Sequence, residues 1–134
     1  SSAASDVYKR QDHDRNLTDE QLRALAKNGG VAQLCLLDAY INKNPKAASV
    51  CDAAEHLDHM IKVAGIDHVG IGTDFDGGGG LQGCKGDNDL INLTIKMIEK
   101  GYTEEDLRKI WGGNLLRVMK QVQEAPLLSS KKRR

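Results

Sequence analysis

Apolar positions along the chain repeat at two spacings, and the switch between them predicts the order of its elements. Leu22, Leu25 and Ala26 lie at helical spacing behind Thr18, which forms a capping box with Gln21, while Leu17 and Leu22 form a staple. Gly29 or Gly30 ends that helix. Val31 to Leu37, VAQLCLL, is then nearly continuous in apolar residues, which predicts a strand covered on both faces, as in a parallel sheet. Residues 38–48 contain Asn42, Asn44 and Pro45 and read as a loop. Helical spacing returns from Ser49 to Ala64, with Val50, Ala54, Leu57, Ile61 and Ala64 on one stripe that stops at Gly65.

Ile66 to Gly72 predicts a second buried strand. A third helix is predicted near Asp87 to Lys100, its apolar side formed by Leu90, Ile91, Met97 and Ile98. Thr103 caps a fourth, where Asp106 reaches back and Tyr102 staples to Leu107. Asn114 reads as the cap of a last helix, LLRVMKQVQ, and Pro126 with SSKKRR as a solvated tail. This is the order of alternating α/β units. A two-stranded parallel sheet cannot bury its own faces and edges, so the expectation is a fragment: the last part of a larger α/β barrel or sheet.

Composition narrows the function classes. The chain's 134 residues allow one domain with a real core. Its 19 basic and 19 acidic residues cancel, which removes the field that would argue for nucleic acid or an anionic membrane as partner. No run approaches the roughly 18 apolar residues of a spanning helix. Cys35, Cys51 and Cys84 have no CxxC spacing, which points to a reducing, cytoplasmic compartment and away from a cysteine zinc site.

The chemistry concentrates in His68 to Gly80, HVGIGTDFDGGGG. Asp74 sits two residues past the glycine that closes the second strand, where a barrel would place a carboxylate that acts on substrate or on metal-activated water. Turn chemistry is the competing reading for Asp74 and Asp76, and position alone leaves both open. The glycine run lacks a following GKS or GKT and the GxGxxG pattern, so it is not a nucleotide fingerprint. A calcium loop beginning at Asp74 would need Glu at its twelfth position, and Lys85 stands there. His56 and His59 are spaced like a metal pair, yet helical geometry favours a solvated or capping role for His59. Arg15, beside His13, could clamp a carboxylate, but on its own reads as a surface arginine.

Together, DHDRNLTDEQLRALAKNGG, AEHLDHMIKVAGIDHVGIGTDFDGGGG and GYTEEDLRKIWGGNLLRVMKQV resemble the C-terminal part of the renal (membrane) dipeptidases over about residues 12–124. The resemblance implies the C-terminal portion of a TIM (β/α)8 barrel, namely its last two strands with their helices plus C-terminal helices. It implies dipeptide hydrolysis with two zinc ions that share a bridging water, and a homodimer among the states open to the full-length form. It makes Asp74 the acid/base carboxylate, in contact with the bridging water or the substrate amine, and Arg15 the clamp for the substrate carboxylate. The family's metal ligands fall upstream, so none is assigned to this chain and the chain alone is expected to be inactive.

A histidine should precede the D-H-x-R-N stretch in an S-H-S segment, whereas the chain reads SSAASDVYKRQ. Residues 1–11 are therefore expected to be an unmatched, disordered segment, 12–124 the barrel part, and 125–134 a disordered basic tail. The alternative is a non-catalytic module that binds a small ligand or serves assembly through the glycine loop.

Overall fold

Three capping boxes fix where helices begin in this computed structural model, which describes residues 16–36, 41, 48–73 and 81–132, with backbone alone at 87 and from 126 onward. Thr18 and Gln21 exchange bonds of 2.9 and 3.2 Å at the start of α1 (Asp19–Lys27). Ser49 and Asp52 do the same ahead of α2 (Val50–Ala64), and Thr103 and Asp106 ahead of α4 (Glu104–Arg108). Each box satisfies two amides that a bare helix start leaves open. α2 ends at Gly65, whose φ of 94° is one a side chain would resist.

β1 (Ala32–Cys35) and β2 (Val69–Gly72) pair in parallel, with Ala32 opposite Val69 and Cys35 opposite Gly72. Both are shorter than the runs that predicted them, β2 because residues 66–68 form a 3-10 turn. α2 makes the crossover between the strands, and α1 and α3 (Leu90–Glu99) both pack on it. Leu22, Leu34, Leu57, Val69, Leu93, Met97 and Ile110 are nearly inaccessible and join one core.

The expectation of two fully covered strands is corrected on one face. Ala32, Leu34 and Val69 are buried and Ile71 packs against the same core, but on the other face Gln33 is exposed and Cys35 and Gly72 are half-buried. Strand side chains alternate, so the polar residue inside VAQLCLL marks the open face. A similar correction applies to α3. Its core side is Leu93 and Met97 with Leu90, whereas Ile91 and Ile98, expected in the core, are 58% and 55% exposed.

The C-terminal region is tied beneath the start of β2. A π-turn, Lys109–Gly113, follows α4 and leads into α5 (Asn114–Lys132). Asn114 has helical dihedrals and does not act as the expected cap: 4% exposed, its Nδ2 donates to the carbonyls of Ile66 at 2.6 Å and Val69 at 2.8 Å. Arg117 Nη2 donates to Gly29 O and Asp67 O, and Trp111 Nε1 to Thr94 Oγ1. α5 continues past Pro126 to Lys132.

Candidate active site

The strand order brings the C-terminal ends of β1 and β2 side by side. Leu36 N donates to Thr73 O at 3.3 Å, which extends the pairing one step past the strands. Gln33 lies along β2 on the open face. A methyl at Gly70 would sit 3.4 Å from Gln33 Cγ, and one at Gly72 3.1 Å from its Oε1. The two glycines therefore form the track over which the Gln33 side chain runs towards the strand's end. Asparagine and arginine tethers hold the opposite ends, so the open rim is the one leading into residue 74.

Asp74 is the residue after Thr73, and it lies outside the described residues together with Asp76 and Gly77 to Gly80. Arg15 and His13 also lie outside them, just ahead of Asn16. The described residues thus end at Thr73 on this rim, one position before Asp74.

The described histidines join elements or lie in the interior and do not form the metal pair that the spacing of His56 and His59 suggested. His59 Nε2 sits 2.8 Å from Asp19 Oδ1 and links α2 to α1, and its side chain is 20% exposed, which corrects the solvated reading. His56 is buried. His68 Nδ1 meets Gly30 O at 2.9 Å. Among the described residues, no three His, Cys, Asp or Glu side chains converge where they could hold a metal ion, so the described set does not fit a metal centre.

A shallow groove of about 440 Å³ is lined by Asp58, Lys62, Lys100, Gly101, Tyr102 and Asp106. Its main groups are committed to one another. The Tyr102 hydroxyl donates to Asp58 Oδ1, and Lys62 Nζ lies 2.8 Å from Asp58 Oδ2. Burial works to raise the Asp58 carboxyl, but hydrogen bonds from Lys62 and Tyr102 outweigh it and hold the group below its ordinary range. Burial and the Asp58 carboxylate both push the Tyr102 phenol well above its ordinary value. This cluster staples α4 to α2.

Sequence reasoning missed Gln33, Arg117, the Asp58–Tyr102 bond and the long-range role of Asn114. A polar residue inside an apolar run was a usable signal for Gln33. Nothing local announces that Asn114 bonds residues 45 and 48 positions earlier.

The chain was then compared with known proteins. The family model for the membrane dipeptidases (peptidase family M19) matches residues 2–133, extending at both ends past the 12–124 expected to match and taking in residues expected not to. An uncharacterised dipeptidase of Schizosaccharomyces pombe is 41% identical over 133 residues, which cover 96% of this chain and 32% of that protein. The dipeptidase ataJ of Aspergillus terreus is 40% identical over 82% of this chain and 27% of its own length. Among solved structures, the probable dipeptidase PvdM of Pseudomonas aeruginosa superposes with a TM-score of 0.80 at 26% identity, over 84% of this chain and 42% of that one. A metallo peptidase of Rhodobacter sphaeroides, liganded with a phosphinate mimic of the dipeptide L-Ala-D-Ala, gives 0.74 at 32% identity, over 79% and 31%. The chain spans about a third or less of the curated relatives it matches. It belongs to the membrane dipeptidase family, peptidase family M19, a family of metallopeptidases.

Proposed function

We propose that this chain supplies the last two strands of a membrane-dipeptidase barrel, with its catalytic acid/base, to an enzyme that hydrolyses the peptide bond of dipeptides. The observation that carries this is the family match over residues 2–133 joined to a parallel strand pair whose C-terminal ends open on one rim. In a parallel barrel that rim is where catalytic side chains stand. Asp74 leaves β2 there, takes a proton from the attacking water as general base and delivers it to the departing amine. Arg15 holds the substrate's terminal carboxylate through a bidentate contact, which fixes the scissile bond before attack.

Zinc, as two ions held by side chains other than those described, would acidify the attacking water. The 134-residue chain alone is inactive on this reading, because an acid/base and a clamp without the metal site do not generate a nucleophile.

The test is a single-chain chimera in which this chain replaces the matching third of the S. pombe relative. Supplied with zinc, it should hydrolyse Gly-D-Ala. Asp74→Asn should lower kcat by at least about a hundredfold with KM little changed, and Arg15→Met should act mainly on KM. An Asp74→Asn chimera with near-normal kcat refutes the assignment. Zinc-dependent hydrolysis by the isolated chain that Asp74→Asn abolishes refutes the inactivity of the chain alone and leaves the assignment standing.

A further inference from the structure

β2 is held unequally at its two ends. At the lower end Asn114 donates to the carbonyls of Ile66 and Val69 at 2.6 and 2.8 Å. At the rim the last backbone bond is Leu36 N to Thr73 O, and its 3.3 Å is long for an amide donor. The strand adds little of its own there. Gly70 and Gly72, two of its four residues, bring no side chain to the open face, and glycine inside a strand weakens it.

Gln33 fills what the two glycines leave. A methyl at Gly72 would stand 3.1 Å from its Oε1 and 3.3 Å from its Cβ, and one at Gly70 would stand 3.4 Å from its Cγ. Ile110 O, 3.5 Å from the Gly70 position, bounds the slot on that side. The fit runs through Cβ and Cγ as well as the carboxamide oxygen, so the slot selects an unbranched side chain of this length. Ile71 anchors the covered face of the same strand in the core. Gln33 is its counterpart on the open face.

We propose that Gln33 is a positioning residue for the dipeptidase reaction: lying in the glycine slot of β2, it holds the strand's rim end, and with it the point at which residue 74 follows, at a fixed distance from β1. This rests on the reading of Asp74 as the acid/base and adds a residue that acts through the strand, not on the substrate. A catalytic group displaced by about 1 Å can lose about a hundredfold in rate, so a side chain that fixes a strand's end acts on kcat.

The zinc-loaded chimera tests it. Gln33→Ala should lower kcat for Gly-D-Ala by at least about tenfold with KM little changed. Leu36 is fully buried, so exchange of its amide proton reports opening of the rim bond. In Gln33→Ala that exchange should be at least about tenfold faster, while exchange at Leu57 within α2 stays as in the parent. Gln33→Met, unbranched and of similar length, should restore both kcat and protection of Leu36.

Parent-like kcat or parent-like exchange at Leu36 in Gln33→Ala overturns the proposal. A Gln33→Met protein as impaired as Gln33→Ala also overturns it, since the carboxamide would then act by its polarity. So does faster exchange at Leu36 and Leu57 alike with a lower urea midpoint, since the residue would then serve stability in general. Asp74→Asn separates the two readings: near-normal kcat there refutes the acid/base assignment, whereas an inactive Asp74→Asn beside a parent-like Gln33→Ala refutes the role of Gln33 alone.

Discussion

Replacing Asn114 by alanine should cost about 2–4 kcal/mol of folding stability. The side chain is 4% exposed, and its amide donates to two carbonyls, Ile66 O at 2.6 Å and Val69 O at 2.8 Å. A buried hydrogen bond contributes about 1 kcal/mol net, and a buried group left without its partner costs about 1–3 kcal/mol. Truncation removes both donors at once from a place that water reaches poorly, and the loss is a large share of the 5–15 kcal/mol typical of a domain.

Urea unfolding followed by circular dichroism measures this as a fall in midpoint at constant slope. Asn114→Asp should be worse than alanine near pH 7, because it sets a carboxylate against two carbonyl oxygens. That environment raises the new group's folded pKa, so its penalty is present above the unfolded value. The penalty should be recovered as pH falls through the folded pKa towards the ordinary carboxylate range. An Asn114→Ala protein within about 0.5 kcal/mol of the parent would refute the reasoning, since that is the range of a surface change.

Two further expectations concern the contacts that join helices. Tyr102→Phe should lower stability by about 1–2 kcal/mol by removing the donor to Asp58. Its pH profile supplies a sign test at both ends. The parent phenol's folded pKa is raised, so its contribution is full below pH 10 and fades above it, and the variant should lose less stability there. Asp58's pKa is lowered, so its contribution is present at neutral pH and disappears as pH falls below the ordinary carboxylate value; that acid-side loss should be smaller in the variant. A double-mutant cycle on Asp19→Ala and His59→Ala should give a coupling of about 0.5–1 kcal/mol for a partly exposed pair, and a coupling of zero would remove it as a link between α1 and α2.

Local chemistry was legible in the sequence to different depths. The boxes at Thr18 and Thr103 were readable because both partners lie within four residues and act before any tertiary contact forms. α3 misled because leucine and isoleucine score alike for periodicity, so the stripe carrying Ile91 and Ile98 looked as core-facing as the one carrying Met97. His59 was assigned to solvent because its partner, Asp19, comes from another helix 40 residues away. Asp74 and Arg15 were singled out as candidates through motif identity, for neither strand period nor burial distinguishes a catalytic carboxylate from one that closes a turn.

The tethers beneath β2 also set an order of assembly. Asn114 and Arg117 reach back 45 to 88 residues, to Val69, Ile66, Asp67 and Gly29. A growing chain therefore exposes both strands and the crossover helix well before it has the groups that lock them. Until residues 114–117 emerge, carbonyls at the sheet's lower end lack these donors and the strands are not yet tied down, a condition that favours association between neighbouring nascent chains. The last helix acts as a latch that closes late, so a ribosome that stalls before it would release a more association-prone product than one that stalls after it.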